Sequence, residues 1–145
     1  MMLHSTCKTI WQWSSWADQP VNFLQIWIEP KSQNINPRYQ RRHFPKDKRH
    51  NQLITAIGPM TGYEHCWINQ DAYVKLGYFT DEASLKYQFR GQNKCVFIFN
   101  ISGEIRINEE TLSARDGIGV WDTNEINIEL ASKTEFILIE APINH

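Results

Sequence analysis

This sequence contains no Cys-x-x-Cys pair, no His-x-His pair and nowhere a run of about 18 apolar residues, the minimum for a membrane-spanning helix. Its three cysteines, Cys7, Cys66 and Cys95, are odd in number, which argues against a disulfide framework and a zinc knuckle and leaves reduced, mostly buried thiols as the expectation. His65 adjoins Cys66, but neighbours on a strand face opposite ways, so they are not expected to form an activated nucleophile. The opening MMLHSTCKTIWQWSSW has one lysine and no uninterrupted apolar stretch; no signal peptide is read there, and a soluble, cytoplasmic protein is expected. Glycine and proline are scarce, at seven and six residues, while hydrophobic residues reach 41% and aromatics 12%. Disordered and fibrous classes are thereby excluded, and the 145-residue length fits one globular domain. An excess of one charge is missing too. A net charge of −1 creates no general attraction to nucleic acid or anionic membrane, and neither partner is expected. The G-x-S-x-G nucleophile turn and the glycine-rich phosphate loops are also absent.

What is present is a rhythm of short β-type runs. Residues 21–30, VNFLQIWIEP, alternate Phe23, Gln25, Trp27 and Glu29 with Leu24, Ile26 and Ile28, as the two faces of a strand that Pro30 ends. Before it, residues 1–20 hold Trp11, Trp13 and Trp16 without a sustained period and read as an N-terminal arm. After it, residues 31–50 are polar and punctuated by Pro37 and Pro45, a long basic connection. There follow QLITAIG, EHCWIN, AYVKLGYF, SLKYQF, CVFIFNISGEIRI, GIGVWD, INIEL and EFILIEA. About eight strands at intervals of about ten residues, with no long amphipathic helix, predict an all-β sandwich or barrel. Within it, KCVFIFNISGEIRINEETLSARDG predicts a hairpin closed at Gly103 and followed by a second turn.

Several of these phrases together resemble the C-terminal half of pirin-like bicupins, which opens with a phrase of the type F-L-Q-I-W-I-x-P followed by P-x-Y-x-Q-x-x-F. Phe23 to Pro30 match the first phrase; Pro37, Tyr39 and Phe44 match the second, with Gln40 one residue early. The triplet Gln70, Asp71, Ala72 and the stretch SGEIRINEETLSARDGIGV extend the resemblance to Pro142. It implies a single cupin-type β-barrel (a double-stranded β-helix, or jelly roll) over residues 21–145, preceded by the arm. It also implies that the family's metal-bearing N-terminal barrel is not part of this chain. His4, Ser5 and Thr6 are similar to a family H-S-E ligand phrase, with threonine in place of the carboxylate.

A non-haem metal in such a barrel needs imidazoles and a carboxylate converging from neighbouring strands. In the cupin pattern the histidine slots fall near Arg90 and Gln92, the glutamate slot near Val96 or Phe97, and the last histidine slot near Ile126. Between Glu82 and Glu104 there is neither a histidine nor an acid. The expectation is an apolar interior, with Phe97, Phe99 and Ile126 filling the place of a ligand cage, and no catalytic, metal or cofactor residues. The richest charge cluster is RYQRRHFPKDKRH; its Arg38, Arg41, Arg42, Lys46, Lys48 and Arg49 are candidate contacts for an anion or a protein partner. The alternative is a solvated loop paired with acids such as Asp81, Glu82, Glu109 or Glu110. The tryptophan load ahead of the barrel calls for a cover, either the N-terminal arm or a second copy of the chain, and a homodimer, with arm swapping as one form of it, is expected. The functional expectation is a metal-free binding or self-assembly module. Two alternatives stand beside it: a dioxygenase whose metal is completed at a subunit interface by His4 or His43, and a transcription-cofactor-like interaction protein.

Overall fold

The computed structural model describes residues 8–9, 23–91 and 94–143. In chain order it contains β1 (Lys8–Thr9), β2 (Leu24–Gln25), a 3-10 helix (Lys46–Arg49), β3 (Gln52–Gly58), β4 (Cys66–Trp67), β5 (Tyr73–Phe79) and β6 (Ala83–Gln88). These are followed by β7 (Lys94–Ser102), β8 (Ile105–Ile107), β9 (Glu110–Leu112), β10 (Gly117–Val120), β11 (Glu125–Leu130) and β12 (Thr134–Pro142). No helix among the described residues is long and apolar enough to cross a membrane. The chain divides into two compact units, Met1–Glu29 with His145, and Pro30–Asn144.

In the first unit β1 pairs antiparallel with β2, Lys8 opposite Gln25 and Thr9 opposite Leu24. The strand expected over residues 21–29 is thus corrected to two residues among those described. Two-stranded ribbons are marginal by themselves. His4, Cys7, Trp11, Trp13 and Trp16 lie outside the described residues.

In the second unit two sheets pack into a jelly roll, in agreement with the fold class expected from the sequence. The larger has the strand order β10-β7-β12-β5-β3-β4 and the smaller β6-β11-β8-β9. Alternation places every second residue of each strand on the shared inner layer. Phe79, Val96, Ile98, Phe136 and Leu138 come from the larger sheet and meet Tyr87, Ile105, Ile107, Leu112, Ile126, Ile128 and Leu130 from the smaller. A fully buried aliphatic or aromatic side chain contributes about 1.5–3 kcal/mol, so this layer is the principal stabilising feature. Phe136 pairs across the ladder with Gly77, and its ring occupies the space a side chain at Gly77 would need.

Two expectations about the segment from Lys94 to Gly117 are corrected. β7 and β8 do not form a hairpin; β7 pairs with β10 and β12, whereas β8 pairs with β9 and β11. The Gly103 turn instead passes the chain from one sheet to the other. It is tight enough that Gly103 takes φ +83 and a side chain there would collide with Thr134. The true hairpin is β8–β9, and β9 was not foreseen. The second correction concerns the aromatics of β7. Val96, Ile98 and Asn100 are the inward residues, whereas Phe97 and Phe99 lie half-buried on the other face. Phe97 is there in contact range of Gly117 on β10.

Candidate functional site

The inner layer is apolar through its middle and polar where β5, β6 and β12 bring Tyr73, Lys75, Tyr87 and Glu140 to one end. On β12, Thr134, Phe136, Leu138 and Glu140 share the inward face, which carries Glu140 to full burial. A buried carboxyl group requires donors. The Tyr87 hydroxyl donates to Glu140 Oε2 at 2.6 Å, and the Arg90 backbone N–H donates to Oε1 at 2.5 Å. Burial, followed by the hydrogen bond to Glu140 and its charge, pushes the Tyr87 phenol well above its ordinary value. Lys75, 6% exposed, donates from Nζ to Thr55 Oγ1 at 2.9 Å. Its nitrogen stands 6.0 Å from the Tyr87 ring centroid. Burial and the positive charge of Arg90 lower the Lys75 pKa, against an opposing pull from Glu140.

Outside this network a pocket of about 440 Å³ opens, walled by Ile54, Pro59, Met60 and Tyr73 and lined with polar groups of Thr55, Glu64, His65 and Arg90. The Arg90 guanidinium lies 4.6 Å from the centroid of the Tyr73 ring. His65 Nε2 is 2.8 Å from the Met60 carbonyl; since that oxygen can only accept, Nε2 carries the proton. β3 supplies Thr55 because it pairs with β5, Thr55 opposite Lys75.

The basic connection is strapped along the outside of the same unit. The Gln40 side-chain amide donates to Trp67 O and accepts from Trp67 N, both at 2.9 Å, and so continues the sheet at the exposed side of β4. Arg38 sits 5.2 Å over the Trp67 ring. Lys46 and Arg49 reach across the outer face of the larger sheet to Glu135, at 2.7 and 2.6 Å, beside Tyr78. Burial pushes the Glu135 carboxyl up, but the hydrogen bonds and charges of Lys46 and Arg49 outweigh it and hold the carboxyl below its ordinary range. The acid engaged is therefore Glu135, not Asp81, Glu82, Glu109 or Glu110. Arg49 is buried at 7% exposure and acts within the fold, while Arg41, Arg42 and Lys48 remain exposed. Of the six basic residues, Arg49 is thus withdrawn from the surface that the other five share with solvent.

Comparison with known proteins identifies the domain. Residues 56–141 match the family model described as the quercetinase C-terminal cupin domain. The chain belongs to this family. It is 28% identical over 126 residues to a quercetin 2,3-dioxygenase of Escherichia coli (strain K12), which covers 87% of this chain and 53% of that protein. A pirin-like protein of Caulobacter vibrioides is 30% identical over 124 residues, 85% of this chain and 53% of the relative. In three dimensions the chain is similar to the bacterial pirin YhhW of Escherichia coli, solved in complex with nickel(II), with a TM-score of 0.77 and 25% identity over 86% of this chain and 52% of that one. The chain thus spans about half the length of the relatives it matches.

Cupin metal chemistry would require donors at the slots that the sequence pattern marks near Arg90, Gln92, Val96 or Phe97 and Ile126, and the side chains described there do not fit it. Arg90 is a cation whose backbone N–H is already given to Glu140. Val96 is fully buried and Ile126 is 4% exposed, both hydrocarbon; Gln92 lies outside the described residues. Among the described residues no three His, Cys, Asp or Glu side chains converge on a common point. Glu140 is the interior carboxyl that the sequence did not reveal. Its signal was the two-residue spacing Phe136, Leu138, Glu140, masked by Ile137 and Ile139 on the opposite face. Lys75 was hidden in the same way, between Val74 and Leu76.

Proposed function

We propose that this pirin-type cupin domain is a metal-free, non-catalytic binding and assembly module whose working site is the polar end of the jelly roll. The observation that carries this reading is the chemistry of the ligand slots expected from the sequence pattern: Arg90, Val96 and Ile126 occupy them, and the one fully buried carboxyl among the described residues, Glu140, accepts from Tyr87 and the Arg90 N–H. A pocket with apolar walls and a few polar groups adjoins that network, as small-ligand sites commonly do. Self-association as a homodimer belongs to the same proposal, motivated by the exposed Tyr63 and Trp121 on the barrel unit.

A second reading, a dioxygenase with its metal completed between copies, is favoured by the names of the relatives. His43 is exposed and free to take part in such a site. The experiment is elemental analysis of the purified protein, quercetin turnover with added nickel, iron, copper or manganese, and mass in solution by light scattering. The proposal expects substoichiometric metal, no turnover and a dimer. One bound metal per chain together with oxygen-dependent quercetin loss overturns it, and a monomer overturns the assembly part.

A further inference from the structure

We infer that the pocket beside Arg90 binds a small organic monocarboxylate with an apolar body, its carboxylate received by the Arg90 guanidinium and the Thr55 hydroxyl. The inference rests on reading the domain as a metal-free binding module and names the ligand class of that site.

The first observation is an arginine at the pocket that has no carboxylate partner among the described residues. Among the described residues Lys31, Lys46, Arg49, Lys86 and Arg106 each pair with a carboxylate. Arg90, like several other described cations, forms no ion pair there, but it lines the pocket and is held against Tyr73. Packing of this kind steadies a guanidinium; Tyr87 also lies within its reach, but a guanidinium has five N–H donors and keeps some for a planar acceptor. Glu140 accepts from the Tyr87 hydroxyl and the Arg90 backbone N–H and forms no ion pair with the Arg90 guanidinium.

The second observation fixes the direction of a proton. An ammonium group has no acceptor lone pair, so in the Lys75–Thr55 hydrogen bond Lys75 donates and Thr55 Oγ1 accepts. The Thr55 O–H must then be donated elsewhere, and Thr55 lines the pocket. Arg90 and Thr55 therefore offer two donors to the same space, and the buried Lys75 behind Thr55 adds positive potential. Ile54, Pro59, Met60 and Tyr73 provide the apolar wall. Glu64 also lines the pocket, and its repulsion grows with the charge of the ligand, which disfavours a phosphate dianion or a dicarboxylate more than a monocarboxylate.

The test is a titration of the full chain, ¹⁵N-labelled, with benzoate, its neutral counterpart benzamide and inorganic phosphate, followed by backbone amide shifts. The titration is run with and without prior EDTA treatment. Saturable benzoate shifts centred on Thr55, Tyr73 and Arg90 are expected, with benzamide and phosphate weaker by about tenfold or more. In Arg90→Gln the benzoate affinity should fall by a similar factor while the spectrum stays dispersed. Equal binding of benzoate and benzamide, or no benzoate binding in either preparation, overturns the carboxylate site, and this comparison stands even if the variant fails to fold. Benzoate binding that vanishes only after EDTA overturns the metal-free reading instead.

Discussion

Replacing Glu135 by glutamine tests whether the basic connection is part of the fold or a solvated loop. The change preserves shape and removes the charge that Arg49 and Lys46 share, in contacts of 2.6 and 2.7 Å. The Arg49 and Glu135 side chains are 9% and 12% exposed, whereas that of Lys46 is 56% exposed. Breaking a fully buried pair costs about 3–5 kcal/mol, and an exposed pair contributes only about 0.2–1 kcal/mol. Arg49 keeps the Phe44 and Gly77 carbonyls at 3.2 and 3.4 Å, and the glutamine oxygen can still accept. The expected loss is therefore about 2 kcal/mol, between those limits. At about 2–4 °C per kcal/mol for a chain near this size, the melting temperature should fall by about 4–8 °C.

The assay is thermal unfolding by circular dichroism at pH 7, with Arg49→Gln and the double variant closing a cycle. A coupling of about 1 kcal/mol or more is expected between contacting charges. Melting within about 1 °C of the wild type, or an additive cycle, would refute the reasoning. The pH dependence gives a second check. Because the folded state holds this carboxyl below its ordinary value of 4.5, the stabilisation is complete above that pH. It is lost as the pH falls through the lower folded value. The gap between wild type and Glu135→Gln should close there.

Two further outcomes follow from the inner layer. Tyr87→Phe removes one of two donors to the fully buried Glu140 and should lower stability by about 1–3 kcal/mol, read as a shift of the urea midpoint; an unchanged midpoint would show that the hydrogen bond contributes nothing net. In Gly77→Ala the added carbon would lie less than 3.0 Å from three carbons of the Phe136 ring. A loss of about 1–3 kcal/mol is expected from this overpacking, with partial rescue by Phe136→Leu; a variant as stable as the wild type would mean the ring moves freely.

The interior of the jelly roll shows where sequence reasoning reaches and where it stops. The runs QLITAIG, AYVKLGYF, INIEL and EFILIEA were readable as strands because apolar periodicity is a local property, and β3, β5, β11 and β12 stand on them. The hairpin at Gly103 was misread because a turn residue signals a change of direction but not which sheet receives the next strand. β8 goes to β11, some twenty residues further on, where Ile105, Ile107, Ile128 and Leu130 bury one another. Phe97 was misassigned since β7 is apolar on both faces, so alternation alone could not tell inside from outside.

For the sites the division is similar. The identities that disfavour a cupin metal, Arg90, Val96 and Ile126, are written in the sequence, as is the all-β rhythm and the likeness to pirin-type domains. Charge by itself drew attention to the basic cluster, yet only tertiary structure separates Arg49, buried against Glu135, from the exposed Arg41 and Arg42. Likewise Lys75, Tyr87, Arg90 and Glu140 are scattered over some sixty-five positions and mean little one by one. Sheet registers place Thr55 opposite Lys75 and Tyr73 opposite Glu140, and the packing of the second sheet brings Tyr87 onto them. Local sequence decides which segments become strands; the pairing and packing of strands far apart in the chain decide which polar groups are buried together, and with them the site.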